Sequence, residues 1–191
     1  MQTIYTIWTK PGETFDYLNK QDKDKTGLTL DILFVLGSLS VTATLMAQAY
    51  LNAGNFNIYL TIITVLLLSL AGGITTKFIF SFILWGIAKL LQGEASTRQV
   101  RTIVAYTLVP QLINLVIFIV LIIIADINND ATIVTYQNPL TQIIIWFFSV
   151  RIMIIGLSRY NKFTYGTALI NILLFAGLVQ GILFGVKYLI G

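Results

Sequence analysis

Cysteine and histidine are both absent from the 191-residue sequence. Their absence excludes disulfides, thiolate chemistry, Cys/His zinc sites and any histidine general acid or base. Charge is scarce too: Asp, Glu, Lys and Arg make up 10% of the chain, against about 25% in an ordinary soluble domain. What fills the chain instead is apolar, 57% of its residues. That balance excludes a soluble enzyme, a disordered chain and a secreted disulfide scaffold. At about 20 residues per bilayer-spanning helix, the chain has room for several spans with short loops and no sizeable soluble domain. It reads as a small all-α integral membrane protein, with neither an internal repeat nor a low-complexity segment. Met1 is not followed by the apolar core of a cleaved signal peptide.

Five apolar stretches stand out: Leu28–Leu51, Ile58–Leu91, Ile103–Ala125, Pro139–Ser158 and Ala168–Ile190. Four suit one crossing each. The second runs for 34 residues, or about 51 Å of helix against about 30 Å of hydrocarbon. The positive-inside rule arbitrates. With a cytoplasmic N-terminus and five crossings, nine of the twelve basic residues fall on the inner side: Lys10, Lys20, Lys23, Lys25, Lys89, Arg98, Arg101, Arg159 and Lys162. The outer loops Asn52–Asn57 and Asp126–Asn138 hold neither Lys nor Arg, and Lys187 alone lies toward the outside. Splitting the second stretch into two crossings would turn Arg98 and Arg101 outward. Its surplus length then calls for a kink or break near Gly72-Gly73, or for a half that lies along the interface.

Residues 1–27 form a separate cytoplasmic or interfacial segment ahead of a membrane domain over residues 28–191. Its basic residues alternate with Glu13, Asp16, Asp22 and Asp24. Despite a net charge of +4, that mixture suits the headgroup region rather than nucleic acid. Trp8, Phe15, Tyr17 and Leu18 among polar neighbours, with Pro11 suited to a first turn, predict a short amphipathic helix over about Pro11–Asn19 at the membrane surface. A frayed tail with one aromatic anchor is the plainer alternative.

Ionisable residues within spans are costly, and three qualify: Asp31, Lys77 and Arg151. All three fall toward the cytoplasmic side of the topology. They form either a polar site for an anionic headgroup or proton-coupled substrate, or a structural ion pair with snorkelling side chains. In the last span Gly177, Gly181 and Gly185 make a GxxxGxxxG face, a helix-packing signal expected to be used within the chain. Asp126, Asn128 and Asp130 open like a calcium loop, but Ala131 and Gln137 stand where glycine and glutamate are needed, so no metal is expected. Without histidine, a second intramembrane carboxylate or a phosphate loop, neither catalysis nor a cofactor is expected.

Two stretches carry a resemblance. Trp8-Thr9-Lys10-Pro11-Gly12-Glu13-Thr14-Phe15 is similar to the W-x-x-P-x-x-T-F opening of prokaryotic Yip1-domain proteins. Gly93-Glu94-Ala95-Ser96, followed by Tyr106-Thr107-Leu108-Val109-Pro110, resembles that family's G-x-x-S … Y-S-L-x-P stretch. The family-motif positions are therefore Pro11, Phe15, Gly93, Ser96, Tyr106 and Pro110. The resemblance implies a five-span membrane bundle linked, in eukaryotes, to trafficking and membrane shaping. The D-L-x-G-P motif of eukaryotic members is missing, which removes Rab GTPase binding from the expectations. Pro110 predicts a kink near the inner face, with the carbonyl it frees near Tyr106 rescued by neighbours.

The sequence thus leads to a non-catalytic scaffold or partner-binding protein of the inner membrane, its N-terminus cytoplasmic and its C-terminus outside. The expected partners are the lipid bilayer and a membrane-protein partner or second copy, with no nucleic acid. The alternative is a small transporter or channel subunit with a cytoplasm-facing polar site.

Overall fold

In hydrocarbon every backbone amide needs an internal partner, and a helix is the structure that supplies it within a single apolar run of this length. The computed structural model describes residues 2–21, 23–52, 58–128, 130–135 and 138–190, and it is helical almost throughout. Of the expected outer loops, residues 53–57, 129, 136 and 137 lie outside the described residues.

Two short helices open the chain, α1 (Gln2–Thr9) and α2 (Pro11–Lys20). Pro11 starts α2, where its missing N–H and fixed φ cost nothing. Thr14 Oγ1 lies 3.0 Å from the Lys10 carbonyl and 2.9 Å from Thr6 Oγ1, tying the two helices across the bend. The predicted amphipathic helix is therefore present and is preceded by a further helix. Pro11, Thr14, Phe15 and Leu18 form its buried face. That face packs on protein, with α2 against α8. Ile7 and Phe15 are wholly enclosed in the same core as Leu33, Phe34 and Ile103.

Helix α3 (Lys23–Asn52) carries the first apolar run and packs along α4 (Ile58–Thr75). The Gly72-Gly73 pair does not break α4; the chain stays α-helical through Thr75. These glycines instead let α3 approach: a Cβ at Gly72 would overlap the Ser38 hydroxyl, and one at Gly73 would sit 3.2 Å from the Phe34 carbonyl. The irregularity falls just beyond, as a π-helical turn over Thr76–Phe80 leading into α5 (Ser81–Leu90). Ser81 Oγ donates to the Thr76 carbonyl there, at 3.1 Å. The long stretch is thus one helical span, Tyr59–Leu90.

The α5–α6 connection turns sharply. Gln92 holds a left-handed φ of 64°, and the Gly93 and Gln92 N–H groups return to the Ala88 and Lys89 carbonyls at 2.8 and 3.0 Å. This is the double closure of a helix C-terminus that usually places glycine at the left-handed position. Gln92→Gly, at an exposed position, is expected to stabilise the protein by about 1 kcal/mol. The denaturation midpoint in detergent would show it.

Ser96 then caps α6 (Thr97–Thr107) in a reciprocal capping box with Gln99. Pro110 ends α6 in a tight 3-10 turn, Val109–Gln111, before α7 (Leu112–Asn128). Leu108 and Gln111 N–H groups bond three residues back, and the Ser40 hydroxyl of α3 takes the Gln111 carbonyl. At the far end of α7, Asp130 Oδ1 accepts from the Thr132 hydroxyl at 2.6 Å and the Thr132 N–H at 3.0 Å. Those bonds hold its carboxyl below the usual carboxylate range. The group read as part of a calcium-like loop is thus occupied in shaping the turn Ala131–Thr135.

Asn138 caps α8 (Pro139–Asn161), and α9 (Tyr165–Ile190) completes the chain. Among the described residues, four segments are long and apolar enough to cross a membrane: Tyr59–Leu90, Thr97–Ala125, Thr132–Asn161 and Tyr165–Tyr188. A shorter apolar stretch, Leu28–Ala43, lies in α3. One large core sits at the end that carries α1 and α2; a smaller one around Val65, Phe118 and Val134 lies at the other end.

Candidate functional site

The motif positions of the sequence converge at the α1–α2 end. Phe15 has no exposed surface, and its ring meets Tyr160 at 5.5 Å and Tyr106 at 6.3 Å, both edge-on. Each tyrosine is anchored by its hydroxyl. Tyr160 donates to the Phe15 carbonyl at 2.9 Å, and Tyr106 to Thr3 Oγ1 at 2.9 Å. Gly156 makes room for this cluster, since a Cβ there would stand 2.9 Å from both Ile103 and Phe15. Arg159 lies across Gly12, and its Nη1 is 3.7 Å from Asp16. Gln99, already part of the α6 cap, donates to Asn19 Oδ1 at 2.9 Å.

Gly93 and Ser96 serve the same end of the bundle. Asn161 Oδ1 accepts the Ala95 N–H at 3.2 Å, Trp85 Nε1 donates to the Ala95 carbonyl at 3.1 Å, and Lys162 reaches Glu94 at 2.6 Å. Tyr160 and Asn161 were not singled out by the sequence. They close an apolar run and look like boundary residues; their partners lie 145 and 66 positions away. Asn114 and Gln142 were also missed, because a lone amide within an apolar run names no partner. Their amides pair reciprocally at 3.0 and 3.3 Å between α7 and α8, a polar link inside the apolar spans.

The three intramembrane ionisable residues do not share one contact set. Lys77, carried on the π turn, meets Asp31 at 2.6 Å. Its Nζ also lies 5.1 Å from the Phe78 ring, which Arg101 faces at 4.9 Å. Arg151 turns elsewhere, donating Nη1 to the Trp8 carbonyl of α1 at 2.7 Å. Lys77 is 28% exposed and Asp31 52%, so the pair lies at the bundle surface rather than in its core. Asp31→Asn is expected to cost about 1 kcal/mol by leaving the ammonium without a counter-charge, and adding Lys77→Gln should restore part of it. Thermal denaturation of Asp31→Asn, Lys77→Gln and the double variant measures the coupling.

The glycine run of α9 has a different setting from the one expected. A Cβ at Gly177, Gly181 or Gly185 would meet nothing within 4 Å. Most of α9 is unburied, Ala168 and Asn171 excepted, so the face expected to pack within the chain is open. Among the described residues no group of three or more Asp or Glu side chains gathers as a metal site.

Helices of this length and apolarity, closed at one end by a docked N-terminal pair, define a polytopic helical membrane protein. The Yip1 domain family matches residues 5–187, nearly the whole chain and including α1 and α2 from Tyr5 onward. The protein belongs to the Yip1 domain family. No curated protein and no solved structure matches it.

Proposed function

We propose that this Yip1-family protein is a non-catalytic scaffold or partner-binding protein of membrane organisation or trafficking. It crosses the inner membrane five times, with α3 as the first crossing, the N-terminus cytoplasmic and the C-terminus outside. The observation that carries the reading is the locked α1–α2 pair. Its apolar face is sealed by Phe15, Tyr106 and Tyr160, while Lys10, Glu13, Asp16 and Lys20 stay exposed. A rigid, charged platform held on a membrane anchor presents a surface to a partner without needing to move. The cavity between α3, α4 and α7, about 200 Å³ and lined by Leu39, Val65, Leu115 and Phe118 among others, is apolar and suits hydrocarbon rather than a solute path.

Cross-linking and co-purification of the intact protein from its native membrane test the reading, alongside solute flux in proteoliposomes. A partner recovered with wild type and lost when Lys10 and Lys20 are reversed in charge is the expected result. Solute flux with no partner recovered would overturn it. The second reading, a small transporter or channel subunit, is favoured by the π turn that places Lys77 against Asp31, because such turns often mark functional positions. It requires flux that Asp31→Asn abolishes.

A further inference from the structure

Arg151 lines a groove of about 420 Å³ on the outside of α8, with Trp146, Phe147, Val150, Ile154 and Tyr165 among its walls. Its volume falls within the range of small-molecule sites, about 300–1,000 Å³. Trp146 and Phe147 are 66% and 59% exposed within a membrane-spanning helix, so the groove opens sideways to lipid. Among the described residues, Arg151 is the one charged group in its lining.

No carboxylate among the described residues neutralises that charge. Among the described residues, the ion pairs are Lys10–Glu13, Lys77–Asp31, Arg159–Asp16 and Lys162–Glu94, none of which involves Arg151. Its single described hydrogen bond goes to a neutral backbone carbonyl, that of Trp8. A guanidinium has five N–H donors, so most of its capacity is unspent. A cation at membrane depth without a counter-charge is costly, and an anion that binds there recovers that cost.

We propose that this groove is a binding site for an anionic phospholipid. The phosphate bonds to the free donors of Arg151 between Ile154 and Tyr165, and an acyl chain runs inward along Val150, Phe147 and Trp146. Charge complementarity selects the headgroup, and the apolar walls select a molecule that carries its own hydrocarbon. Tyr165, 63% exposed and at the first turn of α9, supplies the amphipathic ring that favours the headgroup level. Because Arg151 also holds the Trp8 carbonyl, the bound lipid would sit against the seam between α1 and α8.

The test uses the full-length protein in phosphatidylcholine nanodiscs doped with labelled phosphatidylglycerol or labelled phosphatidylcholine, reading the retention of each. Wild type is expected to prefer phosphatidylglycerol, and Arg151→Gln to lower that preference about ten-fold, the scale of a lost charge-assisted hydrogen bond. Arg151→Lys should keep much of it. Ile154→Trp, which fills the groove and spares the guanidinium, should weaken retention even if Arg151→Gln fails to fold. Arg159→Gln removes an equal charge outside the groove and should leave the preference intact. Equal retention of both lipids by wild type overturns the proposal. So does an unchanged preference in Ile154→Trp, or a loss in Arg159→Gln as large as in Arg151→Gln.

Discussion

Phe15→Ala is expected to release α1 and α2 from the bundle. The ring is fully enclosed between Tyr106 and Tyr160, and truncating a buried phenylalanine costs about 3–5 kcal/mol. The loss falls on a segment of two short helices, which have little helical stability of their own. What holds them is the Phe15 cluster, the tyrosine hydroxyl bonds to Phe15 and Thr3, and the Arg151 bond to Trp8. Removing the largest apolar contact should leave the remaining bonds exposed to water and weak. Limited proteolysis should then cut within residues 1–20 of the variant while wild type resists, and the thermal midpoint should fall. Tyr17→Ala is the control, because Tyr17 is half exposed and outside the cluster. Equal protease resistance of Phe15→Ala and wild type would show that the clasp does not depend on this ring.

The second large effect is expected at Gly93. An added Cβ would stand 2.8 Å from Phe163 Cζ and 2.9 Å from the Ala88 carbonyl, and would overlap Asn161 Oδ1. The last two cannot easily retreat. The Ala88 carbonyl accepts the Gly93 N–H that closes α5, and Asn161 Oδ1 accepts the Ala95 N–H. Gly93→Ala must break one of those bonds or spread the turn, at about 3 kcal/mol from overpacking and a lost buried hydrogen bond together. A marked fall in folded yield and in denaturation midpoint is the expected outcome. Gly181→Ala provides the contrast, since its added methyl meets open space and should leave the isolated protein's midpoint near that of wild type.

The two glycine patterns show why sequence spacing is an incomplete guide. Gly177, Gly181 and Gly185 have the regular spacing of a packing face, yet this chain places nothing against them. Gly37, Gly72, Gly73, Gly93 and Gly156 have no such pattern and are in tight contact. Spacing says which residues share a helix face, whereas contact depends on which other helix arrives there. The charges divide in the same way. Asp31 and Lys77 were legible as costly intramembrane groups, and the structure pairs them. Arg151 was legible on the same ground, but its partner is a backbone carbonyl, which has no side-chain signature in a sequence. Tyr160 and Asn161 gave no warning because polar residues near span ends are ordinary, and Asn114 and Gln142 gave none because a lone uncharged amide within an apolar run names no partner.

Composition and periodicity by themselves determined that this chain is an all-helical membrane protein without cysteine or histidine chemistry. Both follow from residue type alone, since hydrocarbon demands internally satisfied backbone and catalysis demands particular side chains. The Yip1 family likewise rested on short motifs at fixed spacing, and the match extends over residues 5–187. Only the tertiary structure decided what those motifs build. An amphipathic helix buries its apolar face against lipid or protein with equal satisfaction, and the pattern of Pro11, Thr14, Phe15 and Leu18 is the same for both. Protein prevails here because Gly156 leaves a gap for Phe15, and because Tyr106 and Tyr160 reach back to bond the N-terminal segment. That outcome depends on three distant segments meeting, which no local rule of sequence contains.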